Sequence, residues 1–384
     1  MRTAAGSTGP ELWSALTGGR TLAGPVTLAD AGGLPSRIAC EVRELQPDDG
    51  LADAGMGHLD RAARLGVAAA AAAVASAGRH GHRNDRCGVV TATSTGGVAV
   101  VAGGAPDRAI VVPDATAAVV ALRTGWSGMA RSVVAACAGG TQAVGEAARA
   151  IAEGRADLVV AGGYDAPVRR SCLAGFAGMG VLSRRNDAPE LASRPFDDDR
   201  DGFVLAEGAA FLALEELGAA RARGATVLAR VAGYATVTAD ASRRSARGPA
   251  GAGEQACLVA ALADARLSPG DIVHVNAHGT GERRRDRLEA DVVAAVLGEE
   301  VPVTSTKGVT GHPLAAAGPL QAISVVLSFE RAQVPPTANC DRVDPEVHVD
   351  VVARSPRPFA PGPVVANAFG FGGHSGCLVL VPGA

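Results

Sequence analysis

The chain has 384 residues, with 36 Lys plus Arg against 39 Asp plus Glu and a formal net charge of −3. With 47% hydrophobic and 20% charged residues it reads as a globular protein, long enough for one large domain or two ordinary ones. The balanced charge and 3% aromatic content provide neither a basic footprint nor stacking platforms, so no nucleic-acid partner is expected.

The Ala-rich run Leu65–Gly78 is too short and too weakly hydrophobic to span a bilayer, so no membrane association is expected. The segment from Met1 to Trp13 has no apolar core of a secretory signal. Seven Cys are scattered singly and none forms a CxxC pair, which argues against a zinc site or a disulfide framework. A reducing, cytoplasmic setting fits this pattern, and no metal is expected.

Helix and strand signals alternate along the chain. Leu59–Ala77 reads as an Ala-rich helix. Cys87–Thr93 is a β-branched strand ending in a Ser-Thr-Gly-Gly turn, and Arg131–Ala136 is a strand leading into Cys137. Thr141–Glu153 reads as a helix closed by Gly154, and Asp157–Gly163 as a fully buried strand. The second half repeats this grammar. Glu254–Ala265 is a helix, Asp271–Ala277 a strand, Leu288–Leu297 a helix, and Val301–Ser305 a strand. Pro319–Ala332 is a helix, and Val364–Asn367 with Cys377–Val381 form a closing strand pair. The pattern predicts one α/β unit used twice, with a seam near residues 215–225 and halves of 1–220 and 221–384. No Ser-, Gly- or Pro-rich linker interrupts it, so the two halves are expected to form one body.

Four places in this pattern carry chemistry. Cys137 follows an apolar strand and directly precedes a helix, where the helix dipole favours a thiolate. Gly139 and Gly140 are expected to supply the tight turn that exposes it. An isolated Cys is more often inert and buried, so the strand–Cys–Gly-Gly–helix context is what raises it as a nucleophile. His278, in Asn276–Gly281, stands at the end of a strand, where ligands collect in α/β sheets. His312 lies in the Gly-flanked run Lys307–Gly318, five residues after Lys307. One Cys with two His suits acyl transfer, with a thiolate to hold the acyl group and imidazoles to stabilise developing charge. Phe369–Gly373 lacks the spacing of a phosphate loop. It better suits close backbone approach to a substrate, with N–H groups available as an oxyanion hole.

Val133–Gly140, Arg194–Gly208, Asn276–Gly281, Lys307–Gly318 and Asn367–Gly373 together resemble the β-ketoacyl-ACP synthases, in order over nearly the whole chain. The resemblance implies an α/β thiolase fold, a five-layer αβαβα arrangement of two similar halves. It implies decarboxylative Claisen condensation in fatty acid or type II polyketide biosynthesis. Cys137 would take an acyl chain from the phosphopantetheine arm of an acyl carrier protein, and His278 and His312 would stabilise the malonyl enolate. With the helix terminus supporting the thiolate, both histidines are expected to matter after loading rather than before it. Backbone N–H groups of Cys137 and Phe371 would form the oxyanion hole, and Phe371 would be the gating phenylalanine. Thr280, Phe369, Gly370 and Gly372 would line the substrate site. Lys307, with Asp286 and Glu289, would form a buried charged cluster that orients the histidines. No cofactor is implied beyond the carrier-borne substrates. The partners implied are the carrier protein and a second ketosynthase chain, identical or homologous.

Several features depart from the family. The chain opens almost at the helix around Glu11, with the usual first strand apparently missing. The stretch from Gly97 to Cys137 is short, and Glu282 stands where a Thr is usual. Arg283, Arg284 and Arg285 follow the catalytic turn and are expected to face the acidic carrier protein, although a solvated charge cluster at a helix start is the plainer reading. The residues flanking Cys137 and Gly318 are also similar to chain-length factors, the inactive partners of type II polyketide ketosynthases. Retention of Cys137, both His and Lys307 favours an active condensing enzyme over such a partner subunit, or over an acyltransferase that makes an ester or amide without decarboxylation.

Overall fold

The computed structural model describes residues 1–43, 59–78, 81–96, 113–239 and 251–383. The strands of the first sheet are β1 (Arg2–Thr3), β2 (Cys87–Ala92), β3 (Ala130–Val133), β4 (Leu158–Asp165) and β5 (Gly208–Glu215), in spatial order β1-β5-β4-β2-β3. The strands of the second are β6 (Ala229–Thr238), β7 (His274–Asn276), β8 (Pro302–Thr304), β9 (Asp350–Val351), β10 (Val364–Phe369) and β11 (His374–Pro382), in order β9-β8-β7-β10-β11-β6. Each sheet is parallel through its crossover strands and antiparallel where the chain doubles back, at β4–β5 and at β10–β11–β6.

The principal helices are α1 (Gly9–Gly18), α2 (Arg61–Ala77), α3 (Ala115–Thr124), α4 (Gly139–Ala152), α5 (Ala252–Ala265), α6 (Arg283–Leu297) and α7 (Ala317–Arg331). Strand residues alternate faces, and in the central strands both faces are apolar. Leu158 and Val160 pack outward under α2 and α3, whereas Val159 and Ala161 pack inward against α4. In the second sheet Val365, Cys377 and Val379 face α5 and α6. Val364, Ala366, Leu378 and Leu380 face the middle helices α4 and α7. The layers therefore run helix, sheet, helix, sheet, helix. Burial of α4 and α7 between two sheets brings the carboxyl ends of both parallel sets to one place.

Three elements differ from the sequence expectation. The first strand is present as two residues, Arg2 and Thr3, paired antiparallel with Ala209 and Gly208 at the edge of the first sheet. Helix α6 begins at Arg283, five residues before the expected Leu288. Its polar first turn carries no apolar stripe, and Glu282 caps it by accepting from the Arg284 N–H at 3.2 Å. Strand β6 is unexpected: Gly233 sits within it, and its β-branched run, Thr236–Thr238, comes only at its end. The short stretch after Gly97 falls partly on residues 97–112, outside the described residues.

A Cβ on Gly140 would collide with the Ala315 carbonyl oxygen and the Pro319 ring, so this glycine sets how closely α4 approaches the turn leading into α7. Gly140→Ala should lower stability by about 1–3 kcal/mol, the usual range for overpacking a tight core. The check is urea unfolding, where an unchanged midpoint would mean that the two helices are free to separate.

Candidate active site

Cys137 ends the link between β3 and α4, and its side chain is only 2% exposed. The backbone turns at Ala136, whose φ of +47° lies in the left-handed region. Gly139 and Gly140 are helical and do not make the turn. The correction has a simple cause: Gly140 is required for the close approach of Ala315, and the strain sits one residue before the nucleophile. A second correction concerns the thiol. Burial is the largest influence on it and pushes its pKa up to about 11, outweighing the pull of Lys307. The helix terminus alone therefore does not hold a thiolate at neutral pH.

His312 supplies what the helix terminus does not. Its Nε2 lies 3.1 Å from the Cys137 Sγ. The His312 backbone is fastened on both sides, its N–H donating to the Val204 carbonyl at 2.8 Å and its carbonyl accepting from Ala206 at 3.1 Å. The ring stands edge-on to Phe203, with centroids 5.2 Å apart. His278, just beyond β7, places its ring 5.3 Å from that of His312 at 87°. Burial first, and then the Lys307 charge, hold both imidazoles well below their ordinary pKa, so both are neutral at pH 7. The Nδ1 atoms of both rings are buried with no partner among the described residues, so no protein group there fixes either tautomer.

The charged cluster is buried, and it acts on the backbone. Glu289 accepts from the N–H groups of His278 and Gly279 at 2.8 and 2.7 Å. Asp286 accepts from Thr280 at 2.9 Å and from Gly281 at 3.1 Å. The two carboxylates thus shape the His278 turn through its main chain. Lys307 is 1% exposed, with its Nζ 3.3 Å from the Gln321 Oε1. Burial lowers the Lys307 pKa and raises those of Glu289 and Asp286.

Two residues with structural weight were missed in the sequence. Gln321 donates to the carbonyls of Asn276, Ala277 and Asn367, tying the ends of β7 and β10 to α7. Asp165, at the end of β4, accepts from Thr93 and Thr95 hydroxyls and from the N–H groups of Ser94, Thr95 and Ala315. It joins the loop after β2 to the turn after His312. Its only sequence signal is an acid ending an otherwise apolar strand.

Phe369–Gly373 covers the nucleophile. The Phe371 backbone amide lies near enough to the Cys137 sulfur to favour its ionised form, the weakest of the influences on that thiol. A Cβ on Gly370 would sit 3.2 Å from the Cys137 nitrogen, so only glycine leaves that approach open. Gly372 and Gly373 have φ of +79° and +85°, which turns the loop back into β11. The pocket above Cys137 is lined by both His, Thr280, Glu282, Arg285 and Phe371. Phe369 also lines it. Among the described residues no group of three or more His, Cys, Asp or Glu is placed to hold a metal ion.

The arginine run divides. Arg284 is exposed, and Arg283 is 60% exposed and donates to the Asp198 carbonyl. Arg285 turns inward, only 18% exposed, and lies 5.0 Å over the Phe371 ring. The helical spacing explains this: α6 begins at Arg283, so its third residue points towards Asp286 and Glu289, the buried face, rather than with its two neighbours.

A buried thiol and two neutral imidazoles around one small pocket are groups suited to acyl transfer through sulfur. The family model for "Beta-ketoacyl synthase, N-terminal domain" matches residues 1–220, and that for the C-terminal domain matches residues 228–341. The chain is 36% identical to the tetracenomycin polyketide synthase ketoacyl synthase alpha subunit of Streptomyces glaucescens, over 99% of this chain and 95% of that one. It is 34% identical to 3-oxoacyl-acyl-carrier-protein synthase 2 of a Synechocystis strain, over 98% and 94%. A solved β-ketoacyl synthase from Burkholderia phymatum superposes with a TM-score of 0.90 at 31% identity, covering 99% of this chain and 97% of that one. The chain belongs to the β-ketoacyl synthase family, and its layers are those of the thiolase fold.

The His312–Cys137 contact changes the expectation that both histidines act only after loading. His312→Ala should slow acylation of Cys137 by about a hundredfold or more, the usual weight of a general base. His278→Ala should leave acylation within a few-fold while abolishing later steps. A mass-spectrometric time course of acyl-enzyme separates the two, and equal slowing by both would contradict the assignment.

Proposed function

We propose that this chain is a condensing β-ketoacyl synthase working on carrier-borne thioesters, with Cys137 as nucleophile, His312 as its base and His278 as the principal enolate stabiliser. The observation that carries the reading is the 3.1 Å contact between the Cys137 Sγ and the His312 Nε2 in a pocket that Phe371 also lines. In the loading step the thiol gives its proton to His312 as sulfur attacks the acyl carbonyl. The bond from that carbonyl to the carrier sulfur breaks, and the proton passes to the departing thiol. In the second step the carboxylate of a malonyl thioester leaves as carbon dioxide. The electron pair of the broken C–C bond forms an enolate, stabilised by the two imidazoles. The enolate carbon attacks the Cys137 acyl carbonyl, whose oxygen would be met by the N–H groups of Cys137 and Phe371. The Cys137 C–S bond then breaks, its electron pair returning to sulfur, which takes a proton from water to restore the thiol.

The charged cluster supports this chemistry from behind. Neutral imidazoles donate to a developing enolate without a charge to desolvate, and burial with Lys307 nearby keeps them neutral. With residues 1–220 and 221–384 taken as two thiolase-like halves, the nucleophile belongs to the first and the histidines to the second. The names of the relatives favour an acyl carrier protein as substrate carrier and polyketide or fatty acid chains as products. A partner chain, identical or homologous, fits the outer edge of β3, where Val134 is 62% exposed and no strand pairs among the described residues.

The test is to incubate the protein with an acyl-loaded carrier and malonyl carrier protein, following protein mass and carbon dioxide. The expected result is one acyl chain on Cys137, carbon dioxide release matched to β-ketoacyl product, and loss of both in Cys137→Ala. Acylation followed by ester or amide formation without carbon dioxide would instead assign a non-decarboxylating acyltransferase. No acylation at all would assign a partner subunit.

A further inference from the structure

Arg285 is the one member of the arginine run inside the pocket, and its surroundings do not account for it. Its side chain is 18% exposed. The guanidinium carries five N–H donors, yet among the described residues its only ion pair is to Glu282 at 3.9 Å, beyond hydrogen-bond distance. Glu282 caps α6 through its Oε1, which accepts from the Arg284 N–H, and turns its Oε2 towards Arg285. The remaining contact is the Phe371 ring face, 5.0 Å away. Arg200, deeper in the core, instead donates to the Asp344 carboxylate at 2.7 Å and to the carbonyls of Asp197 and Arg283 at 2.8 Å. Arg285 makes no such hydrogen bonds among the described residues and opens onto the pocket, where an anion can reach it.

The position says which anion. Arg285 lines the pocket of Cys137, His278 and His312, and also the adjoining pocket beside His278 and Phe369. Its guanidinium stacks on the Phe371 ring in the pocket that holds the Cys137 thiol, so it stands beside the reacting thioester. The phosphate of a carrier arm is separated from that thioester by the length of the arm. We propose that Arg285 is a specificity-determining residue that recognises the carboxylate of the extender thioester. This rests on the condensing reading above.

The chemistry gives the recognition a particular kinetic signature. The carboxylate is present when the extender binds and gone once carbon dioxide has left. A charge-assisted contact to it stabilises the bound substrate more than the decarboxylation transition state. Arg285 therefore strengthens binding and selectivity without raising the rate of the chemical step. Phe371 holds the guanidinium by cation–π contact until the carboxylate displaces it.

The experiment compares wild type, Arg285→Gln and Arg285→Lys with malonyl-N-acetylcysteamine and with malonyl carrier protein. Arg285→Gln should raise the KM for both malonyl substrates by about tenfold or more, with kcat unchanged or higher and acetylation of Cys137 within threefold. Arg285→Lys should restore part of the KM. A second arm measures binding of malonyl- and propionyl-N-acetylcysteamine at equilibrium, and needs no turnover. The wild type should prefer the malonyl compound, and Arg285→Gln should lose that preference. An unchanged KM, equal damage to acetylation, or an effect only on the carrier-borne substrate would each overturn the proposal, the last in favour of the arm's phosphate or the carrier surface. Failure of the condensing reading appears separately, as wild type that releases no carbon dioxide. The binding arm still decides whether Arg285 reads the carboxylate.

Discussion

Burial of the Cys137 thiol governs the rest of the site. A sulfur 2% exposed and surrounded by apolar side chains is hard to ionise, and its pKa rises to about 11 for that reason. Everything within reach of it compensates. His312 stands at hydrogen-bond distance from it, the Phe371 backbone amide weakly favours its ionised form, and Lys307 adds a positive potential. In the proposed reaction the thiol stays protonated until a substrate carbonyl arrives, and negative charge then passes onto the acyl oxygen rather than waiting on sulfur.

The fold makes that burial possible by joining two sheets across a shared helical layer. Cys137 stands just before α4, beside the first sheet, whereas His278 and His312 come from turns later in the chain. The contacts that hold the two together are short and buried. Asp165 on β4 accepts from Ala315, three residues after His312. Gly140 on α4 gives room to the same Ala315 carbonyl. Gln321 and Glu289 brace the strand ends on the other side through main-chain groups. The charged cluster is therefore a scaffold for backbone, and its electrostatic effect on the imidazoles is to keep them neutral.

Motif order made the fold class and the Cys137–His278–His312 grouping legible in the sequence. Apolar strand runs such as Asp157–Gly163 and the closing pair near Val364 and Cys377 located the sheets, because strands buried on both faces leave long apolar runs. What was illegible depends on contacts remote in sequence. The state of the thiol could not be read from its position before a helix, since burial among residues remote in sequence, such as Leu173, Phe203 and Leu314, pushes its pKa up. Asp165 and Gln321 look like ordinary polar residues until their hydrogen bonds across more than forty positions are seen. The arginine run looked uniform, and only the start of α6 at Arg283 separates an inward residue from two outward ones.

The most direct measurement is the ionisation of Cys137 itself. Ultraviolet thiolate absorbance, taken as the difference between wild type and Cys137→Ala across pH, isolates this one thiol among seven. A buried thiol raised to about 11 predicts little thiolate at pH 7, with the signal growing only as the solution becomes strongly alkaline. A full thiolate signal at pH 6 would contradict the account, because the site would then hold a preformed thiolate and His312 would have no proton to accept.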